Sequence, residues 1–236
     1  MFAYVSFVNN NQTYIDLMKT TIDSVIQFSK YKFIVYCVGI KEKVFDDHEQ
    51  IIIRNIDIVL PNIYYYKPYV ITDAIKQGLT SGYYIESDDV LTPIADNYLF
   101  NKSLDIKDIP LSPIHPCNCI VSNNDINMVG SNIKITQHYI HAHVLFNSSC
   151  LPFIEEWLYH CVKSNYFFKN ADETVLNIMY WKYKCKNHYL EIIDPWYEHF
   201  YDDFKNTNII CTYHGCKDPN AQRKLLNDLK NELKNI

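Results

Sequence analysis

The sequence of 236 residues lacks the features that mark several large classes of protein. Its formal net charge is -5, so no excess of basic residues indicates binding to nucleic acid. No apolar run is long enough for a membrane-spanning helix, and the first residues have neither the basic start nor the apolar core of a secretory signal. We therefore expect a cytoplasmic protein without a transmembrane segment and without a nucleic-acid partner.

The eight cysteines lack the paired spacing of common metal sites. They are scattered along the chain, and a chain of this length without a secretory signal is expected to keep its thiols reduced. Residues 115–119 and 211–216 combine Cys with His and are candidate zinc sites, but neither contains the usual CxxC pair. The sequence therefore favours reduced cysteines over structural zinc.

Internal repeats, low-complexity runs and a clear linker are also missing. A hydrophobic content of 48% is ample for a core, and the simplest organisation is one domain over residues 1–236. Its last part, from about residue 219 to residue 236, is predicted to be an amphipathic helix with leucines on one side. That side could pack on its own domain, form the seam of a homodimer or contact a membrane surface.

What the sequence does contain is an alternation of strand and helix patterns. Short apolar runs predict strands at residues 2–8, 32–38 and 83–85, and residues 51–60 are predicted to contain a further strand. Apolar residues at helical spacing predict helices at residues 14–29, with Thr13 as the N-cap, and at residues 69–79. This order is typical of an α/β domain with a largely parallel sheet, in which ligands bind beyond the carboxyl ends of the strands.

The second half of the chain is less regular. Two prolines between residues 108 and 114 indicate an edge strand or a loop. We predict a strand at residues 139–147, helices at residues 152–162 and 172–183, and late strands at residues 189–193 and 208–213. The second half of the chain is therefore also predicted to contain both strands and helices.

Three acids, Glu86, Asp88 and Asp89, follow the strand at residues 83–85 within four positions. An ionised carboxylate is costly to bury without a partner, so these acids either face solvent at the start of a loop or hold a cation. Mg²⁺ and Mn²⁺ prefer oxygen ligands, often one or two carboxylates together with substrate phosphates. Since side chains alternate along a strand, Glu86 and Asp88 are expected to share one face.

Two further pairs of residues have both a functional and a structural interpretation. His141 and His143 lie on one face of a predicted strand, where they could bind one metal ion or be packed and hydrogen-bonded, and we favour the second. Asp172 and Glu173 open a predicted helix, where acids are common because of the helix dipole. They could also face a substrate, as a general base or as the group that stabilises a developing positive charge.

A late element and an early helix carry the remaining candidates. His214, Gly215 and Lys217 follow the last predicted strand. There the histidine could be a ligand, the glycine lets a phosphate approach the backbone and the lysine supplies positive charge, although an ordinary turn has the same composition. Lys67 and Asp73 lie near the start of the helix at residues 69–79, where both could simply be solvated.

The order of these motifs resembles that of GT-A glycosyltransferases, and most closely the family 8 type (glycogenin-like enzymes and bacterial lipopolysaccharide galactosyl- and glucosyltransferases). The shared order is a first strand ending in a polar loop, a D-x-D-like cluster after an apolar strand, a Y-x-N-x-G-V-type strand, a helix opening with two acids, and a late element of H-x-x-G-x-x-K type. This late element is shortened here to residues 214–217. The resemblance runs from Phe2 to about Lys217. It implies a GT-A fold, a Rossmann-like nucleotide-diphospho-sugar transferase fold with a central, mostly parallel sheet flanked by helices.

This resemblance implies a metal site and a diphosphate site. Glu86, Asp88 and His214 match the family's ligands of Mn²⁺ or Mg²⁺, which hold the metal against the diphosphate of a nucleotide sugar. Glu86 stands where the family has its first Asp, and Asp89 is an additional acid that could take over that role.

The resemblance also implies contacts to the rest of the donor. Val8 and Asn10 match the loop beside base and ribose, and Lys67 matches a basic residue that contacts the donor. In the late element, Gly215 is implied to make a backbone contact and Lys217 to clamp the diphosphate.

The donor sugar is implied to contact the predicted strand at residues 139–147. His141 and Ala142 belong to that contact, with Asp73 on the early helix as a further substrate-binding residue. His141 stands for the family's usual Asn and His143 for its usual Gly, so the identity of the sugar stays open.

Asp172 and Glu173 match the acidic pair near the reacting carbon, where Asp172 could stabilise an oxocarbenium-like state or either acid could act as a base. The implied function is that of a metal-dependent hexosyltransferase that moves a sugar from a UDP-sugar to a saccharide or protein acceptor with retention of configuration. The alternatives are a metal-dependent phosphoesterase or nucleotidyltransferase built on the same acids, and a non-catalytic nucleotide- or carbohydrate-binding module.

Overall fold

The computed structural model describes residues 1–114, 120–136, 139–141, 143–163, 166–185, 189–190, 210–212 and 218–233. These residues form an α/β fold with a mostly parallel sheet of five strands flanked by helices, which confirms the predicted class. In chain order the strands and helices are β1 (Phe2–Asn9), α1 (Gln12–Phe28), β2 (Lys32–Val38), β3 (Ile51–Ile56), α2 (Tyr66–Lys76), β4 (Ser81–Tyr84), β5 (Asp89–Leu91), α3 (Ala95–Leu104), β6 (Ser112–Pro113), α4 (Asn123–Val129), β7 (Leu145–Asn147), α5 (Leu151–Val162), α6 (Ala171–Lys182), β8 (Tyr189–Leu190), β9 (Ile210–Thr212) and α7 (Pro219–Leu233).

Contacts divide the described residues into two compact units. The N-terminal unit comprises residues 2–58 and 85–102 and the described part of residues 192–236. The central unit comprises residue 1, residues 59–84 and the described part of residues 103–191. The prediction of one domain over residues 1–236 stays a prediction.

The N-terminal unit contains the parallel strands β3, β2 and β1, in that order. Val5 of β1 lies opposite Ile34 of β2, and Val35 of β2 lies opposite Ile53 of β3. The side chains of β1 and β2 are buried along nearly their whole length, as expected for apolar strands of a parallel sheet that is covered on both faces. The antiparallel pair β5 and β9 also belongs to this unit.

The C-terminal helix α7 packs on this same unit. Leu225, Leu226 and Leu229 form a buried cluster with Val90, and Phe28 packs against that cluster. This contact agrees with the predicted amphipathic helix and accounts for its apolar side. Within the described ranges, no helix is both long and apolar enough to cross a membrane.

The central unit is built around the helices α2, α5 and α6. Helix α5 packs against both α2 and α6, and the strands β4 and β7 pair antiparallel with Gly82 opposite Phe146. Trp157 and Tyr180, both fully buried, lie on α5 and α6. The short parallel pair β6 and β8 lies in the same unit.

Helix α1 begins at Gln12, two residues earlier than predicted, and its N-cap is Asn11. The backbone of Asn11 is extended, and its Oδ1 accepts a hydrogen bond from the N–H of Thr13 at 3.0 Å. The prediction of Thr13 as the N-cap is therefore wrong. The polar turn before the helix already supplies an asparagine, which is among the preferred N-cap residues.

The strand predicted at residues 139–147 is reduced to β7 in the described residues. The N–H of Ile140 donates to Oδ1 of Asn177 at 2.7 Å, and the carbonyl of Ile140 accepts from Nδ2 of Asn177 at 2.9 Å. A side chain on α6 thus satisfies backbone groups that a strand would pair with a neighbouring strand. Two other elements agree with the prediction, since α2 begins at Tyr66, beside the predicted start near Lys67, and β3 lies within residues 51–60.

Candidate functional site

Residues 86–89 form a closed turn in the N-terminal unit, which we call the acid turn. Ile85, just before it, donates its N–H to the carbonyl oxygen of Val5 at 3.0 Å. Oδ2 of Asp89 accepts the N–H of Glu86 at 2.7 Å, and Asp89 is fully buried. Asp89 therefore closes the turn, and Glu86 and Asp88 remain as the candidate metal ligands.

The acid turn offers two of the three implied metal ligands. Glu86 is half-buried and Asp88 is 6% exposed, and two carboxylates fit a Mg²⁺ or Mn²⁺ site that is completed by substrate phosphates. In the part of the chain that the structure describes, no three or more His, Cys, Asp or Glu residues are grouped to hold a metal ion. His214, Gly215 and Lys217 lie outside the described residues.

Lys67 on α2 and Asp172 in the first turn of α6 form a buried ion pair in the central unit. Nζ of Lys67 lies 3.5 Å from Oδ2 of Asp172, and the two residues are 4% and 2% exposed. Burying a charge costs several kcal/mol in real proteins, so each of these groups depends on the charge of the other. The sequence predicted both as site residues, and the structure brings them together.

The surroundings of this pair fix both partners. Nζ of Lys67 lies 5.3 Å from the ring centroid of Tyr84, within the range of a cation–π contact. Nε1 of Trp157 donates to the carbonyl oxygen of Asp172 at 2.8 Å. Ala171, directly before it, has a φ of 45°, a left-handed conformation that costs energy in a residue other than glycine. Such strain is found where surrounding structure holds a residue in one position.

Two other ionisable groups of the central unit respond to the charge of Asp172. Burial raises the pKa of the Cys161 thiol well above its usual value, Asp172 raises it further and Lys67 opposes the rise. Burial, followed by the influence of Cys161 and Asp172, raises the pKa of Tyr65 to about 12. Both groups are therefore protonated near neutral pH, so Cys161 is not a thiolate nucleophile.

His141 and His143 contact each other inside the central unit. Their Nδ1 atoms are 2.5 Å apart, their ring centroids are 4.4 Å apart, and both residues are buried. Tyr83 stacks on the ring of His143. In this hydrogen bond one Nδ1 donates and the other accepts, so the two rings are in different tautomers or protonation states. This confirms that the two side chains share a face, and it agrees with the hydrogen-bonded interpretation.

The other predicted site residues are spread over both units. In the N-terminal unit, Val8 is buried in β1 and Asn10 is exposed in the loop that follows it. In the central unit, Asp73 is half-buried on α2, and Glu173 is half-buried beside Asp172 in sequence. Ala142 lies outside the described residues.

The described cysteines agree with the expectation of reduced thiols. Cys37, Cys150, Cys161 and Cys185 are free and buried. Of the two candidate zinc segments, residues 115–119 lie outside the described residues, and residues 213–216 of the second lie outside as well.

A cleft of about 290 Å³ opens near the carboxyl ends of β2 and β3 in the N-terminal unit. Its lining includes Cys37, Lys41, Phe45 and Asn55. Burial raises the pKa of the Cys37 thiol to about 11. The predicted site residues do not line this cleft.

Sequence reasoning did not identify Thr21 and Gln222, whose side chains donate hydrogen bonds to main-chain carbonyl oxygens of the acid turn. One signal was available for Gln222. It lies three and four positions before Leu225 and Leu226, so it is a polar residue on the apolar side of an amphipathic helix. A polar residue in that place needs a buried partner.

No protein-family model matches the chain, and no curated protein matches it. The resemblance to GT-A glycosyltransferases thus depends on the order of motifs in the sequence and stays a prediction.

Proposed function

We propose that the protein is a divalent-metal-dependent glycosyltransferase that moves a hexose from a UDP-sugar to a saccharide or protein acceptor. The observation that carries this proposal is the acid turn, in which Glu86 and Asp88 follow an apolar strand and Asp89 closes the turn behind them. The α/β fold with its mostly parallel sheet is compatible with the proposal. Ligands of such sheets commonly bind where strands end.

Glu86 and Asp88 are the described residues that would hold the metal. Their carboxylates supply hard oxygen ligands, and sites of this kind take further ligands from substrate phosphates and water. Mn²⁺ or Mg²⁺ bound there would supply positive charge against the diphosphate leaving group. Asp89 accepts the N–H of Glu86 within the turn, and Thr21 donates to the carbonyl oxygen of Ser87, so hydrogen bonds hold the main chain that carries the two carboxylates.

Asp172 is the carboxylate that we propose to face the reacting sugar. A carboxylate stabilises the positive charge that develops on the sugar carbon when the leaving group departs with retention. The ammonium of Lys67 stabilises the charge of Asp172, and Trp157 holds its carbonyl, so both act as positioning residues. Glu173 supplies a second, more accessible acid next to it.

Thermal unfolding in the presence of nucleotides tests this proposal. UDP and a panel of UDP-sugars should raise the melting temperature in Mn²⁺ and not in EDTA. A ligand present at about 100 times its Kd stabilises the folded state by about 2.7 kcal/mol. Asp88→Asn should abolish the Mn²⁺-dependent part, whereas Asp57→Asn, which changes an exposed acid of the same unit, should leave it intact.

The release of UDP from each bound donor then separates an enzyme from a binding module. Slow hydrolysis in Mn²⁺ is expected of a transferase without its acceptor. Stabilisation without any donor turnover would favour the binding module, and hydrolysis of simple phosphodiesters would favour the phosphoesterase. If neither UDP nor any UDP-sugar changes the melting temperature in Mn²⁺, the proposal is wrong.

A further inference from the structure

Gln222 on α7 is a buried amide that contacts the main chain of the acid turn. It is 0% exposed, and its Nε2 lies 3.1 Å from the carbonyl oxygen of Ser87 and 3.3 Å from that of Asp89. These residues lie 135 and 133 positions earlier in the chain. The two carbonyl groups flank Asp88 on either side, so this amide holds the main chain around a proposed metal ligand.

Thr21 on α1 bonds to the same two carbonyl groups. Its Oγ1 lies 2.7 Å from the carbonyl oxygen of Ser87 and 2.7 Å from that of Asp89, and 3.2 Å from Nε2 of Gln222. A hydroxyl has one proton to donate, whereas an amide NH₂ has two. The single proton of Thr21 can serve only one of the two carbonyl groups at a time, so the other depends on a proton of Gln222.

The packing of α7 directs Gln222 towards the turn. Leu225, Leu226 and Leu229 are buried against Val90, which follows the acid turn by one residue. Gln222 lies on the same side of the helix as these leucines, because residues three and four apart share a face. The apolar contact and the hydrogen bonds thus act on the same short segment of chain.

We infer that Gln222 is a positioning residue of the acid turn, acting together with Thr21. It fixes the main chain on both sides of Asp88 and thereby sets the affinity of the turn for a divalent metal. The effect on the main chain follows from the contacts themselves, whereas the effect on metal affinity rests on the proposed function. Residues that support metal ligands from behind typically change affinity 10- to 100-fold when they are mutated.

Hydrogen exchange of the full chain tests the first part without any ligand. Gln222→Glu keeps the shape of the side chain but replaces the NH₂ donors with a carboxylate oxygen that repels the two carbonyl groups. The amides of residues 86–91 should then exchange about tenfold faster, since a buried hydrogen bond of this kind is lost. If Gln222→Glu does not fold, Gln222→Asn is used in its place, because it keeps the amide but is one methylene shorter.

Two controls separate positioning from general destabilisation. Arg223→Ala changes the exposed neighbour, which pairs with Asp23, and should leave exchange at the turn unchanged. Leu229→Ala loosens the same helix but leaves the amide donors in place. Leu229→Ala is expected to raise exchange uniformly along the chain. The inference would be overturned if Gln222→Glu did the same, or if it left exchange at residues 86–91 at the wild-type rate.

Titration with Mn²⁺ in the presence of UDP tests the second part. The Kd for Mn²⁺ should rise about tenfold in Gln222→Glu and stay unchanged in Arg223→Ala. An unchanged Kd in Gln222→Glu overturns the role in metal affinity. Absence of Mn²⁺ binding by the wild-type protein overturns both that role and the proposed function, and the exchange data then decide the effect on the main chain by themselves.

Discussion

At the scale of single residues, Lys67 and Asp172 are two charges buried in one ion pair. Lys67→Met removes the ammonium and leaves the carboxylate of Asp172 in the interior without it. We expect the free energy of unfolding, measured with urea, to fall by about 3–5 kcal/mol. The double variant Lys67→Met/Asp172→Asn should lose less than the sum of the two single changes, because neither charge of the pair is then left in the interior without the other.

A second lysine of α2 provides the matched control for this prediction. Lys76 pairs with Glu155 at 2.6 Å, but both side chains are largely exposed. Lys76→Met should cost less than about 1 kcal/mol, the usual contribution of a surface ion pair. Equal costs for Lys67→Met and Lys76→Met would mean that burial gives the Lys67 pair no special importance.

His160 on α5 should make the stability of the protein depend on pH. Burial, followed by the charge of Lys163, lowers the pKa of His160 below 6.5 in the folded state, while Glu156 opposes the shift. Below about pH 6.5 the unfolded chain therefore binds more protons at this residue than the folded chain does. The free energy of unfolding should thus fall as the pH is lowered from about 7.5 through 6.5 towards 5.5, and urea titrations at these pH values measure the slope.

Substitution of single histidines isolates the contribution of His160 to this pH dependence. His160→Gln should flatten the slope between pH 7.5 and 5.5, because its side chain cannot titrate. His48→Gln, which alters an exposed histidine, should leave the slope unchanged. An unaltered slope in His160→Gln would assign the pH dependence to other groups.

At the scale of elements, Asn177 takes the place of a strand partner. Its side chain accepts from the N–H of Ile140 and donates to the carbonyl of the same residue. Asn177→Ala leaves both buried backbone groups without these bonds, and we expect a loss of about 2–6 kcal/mol in the free energy of unfolding, from roughly 1–3 kcal/mol for each of the two unsatisfied groups. Chemical denaturation of the variant measures this loss.

The exposed Asn127 on α4 serves as the control for that change. Asn127→Ala should alter stability by less than about 0.5 kcal/mol, as surface substitutions usually do. If Asn177→Ala behaves in the same way, water or a rearranged segment satisfies Ile140 and the side chain of Asn177 is dispensable.

At the scale of the whole molecule, the predicted elements were correct where a pattern is local. The strands β1 and β2 and the helices α1, α5 and α6 were predicted close to their observed bounds, because apolar runs and helical spacing are properties of neighbouring residues. The contact between His141 and His143 was expected from strand alternation, but it forms outside β7, the strand of this segment. Of the strand predicted at residues 139–147, only β7 and an isolated pairing of Ile140 with Ile114 are described, and Ile140 bonds to the distant side chain of Asn177, which no local pattern reveals.

For the candidate site, too, some features follow from the local sequence and others only from the tertiary structure. The sequence by itself determined that three acids follow an apolar strand, that two acids open α6, and that Lys67 stands near the start of α2. Only the tertiary structure decided that Asp89 closes the acid turn, that Lys67 pairs with Asp172, and that Gln222 holds the turn from the far end of the chain. The physical reason is that the need of a buried charge or carbonyl group for a partner is fixed by its chemistry, whereas the identity of that partner depends on which distant segments the fold brings into contact.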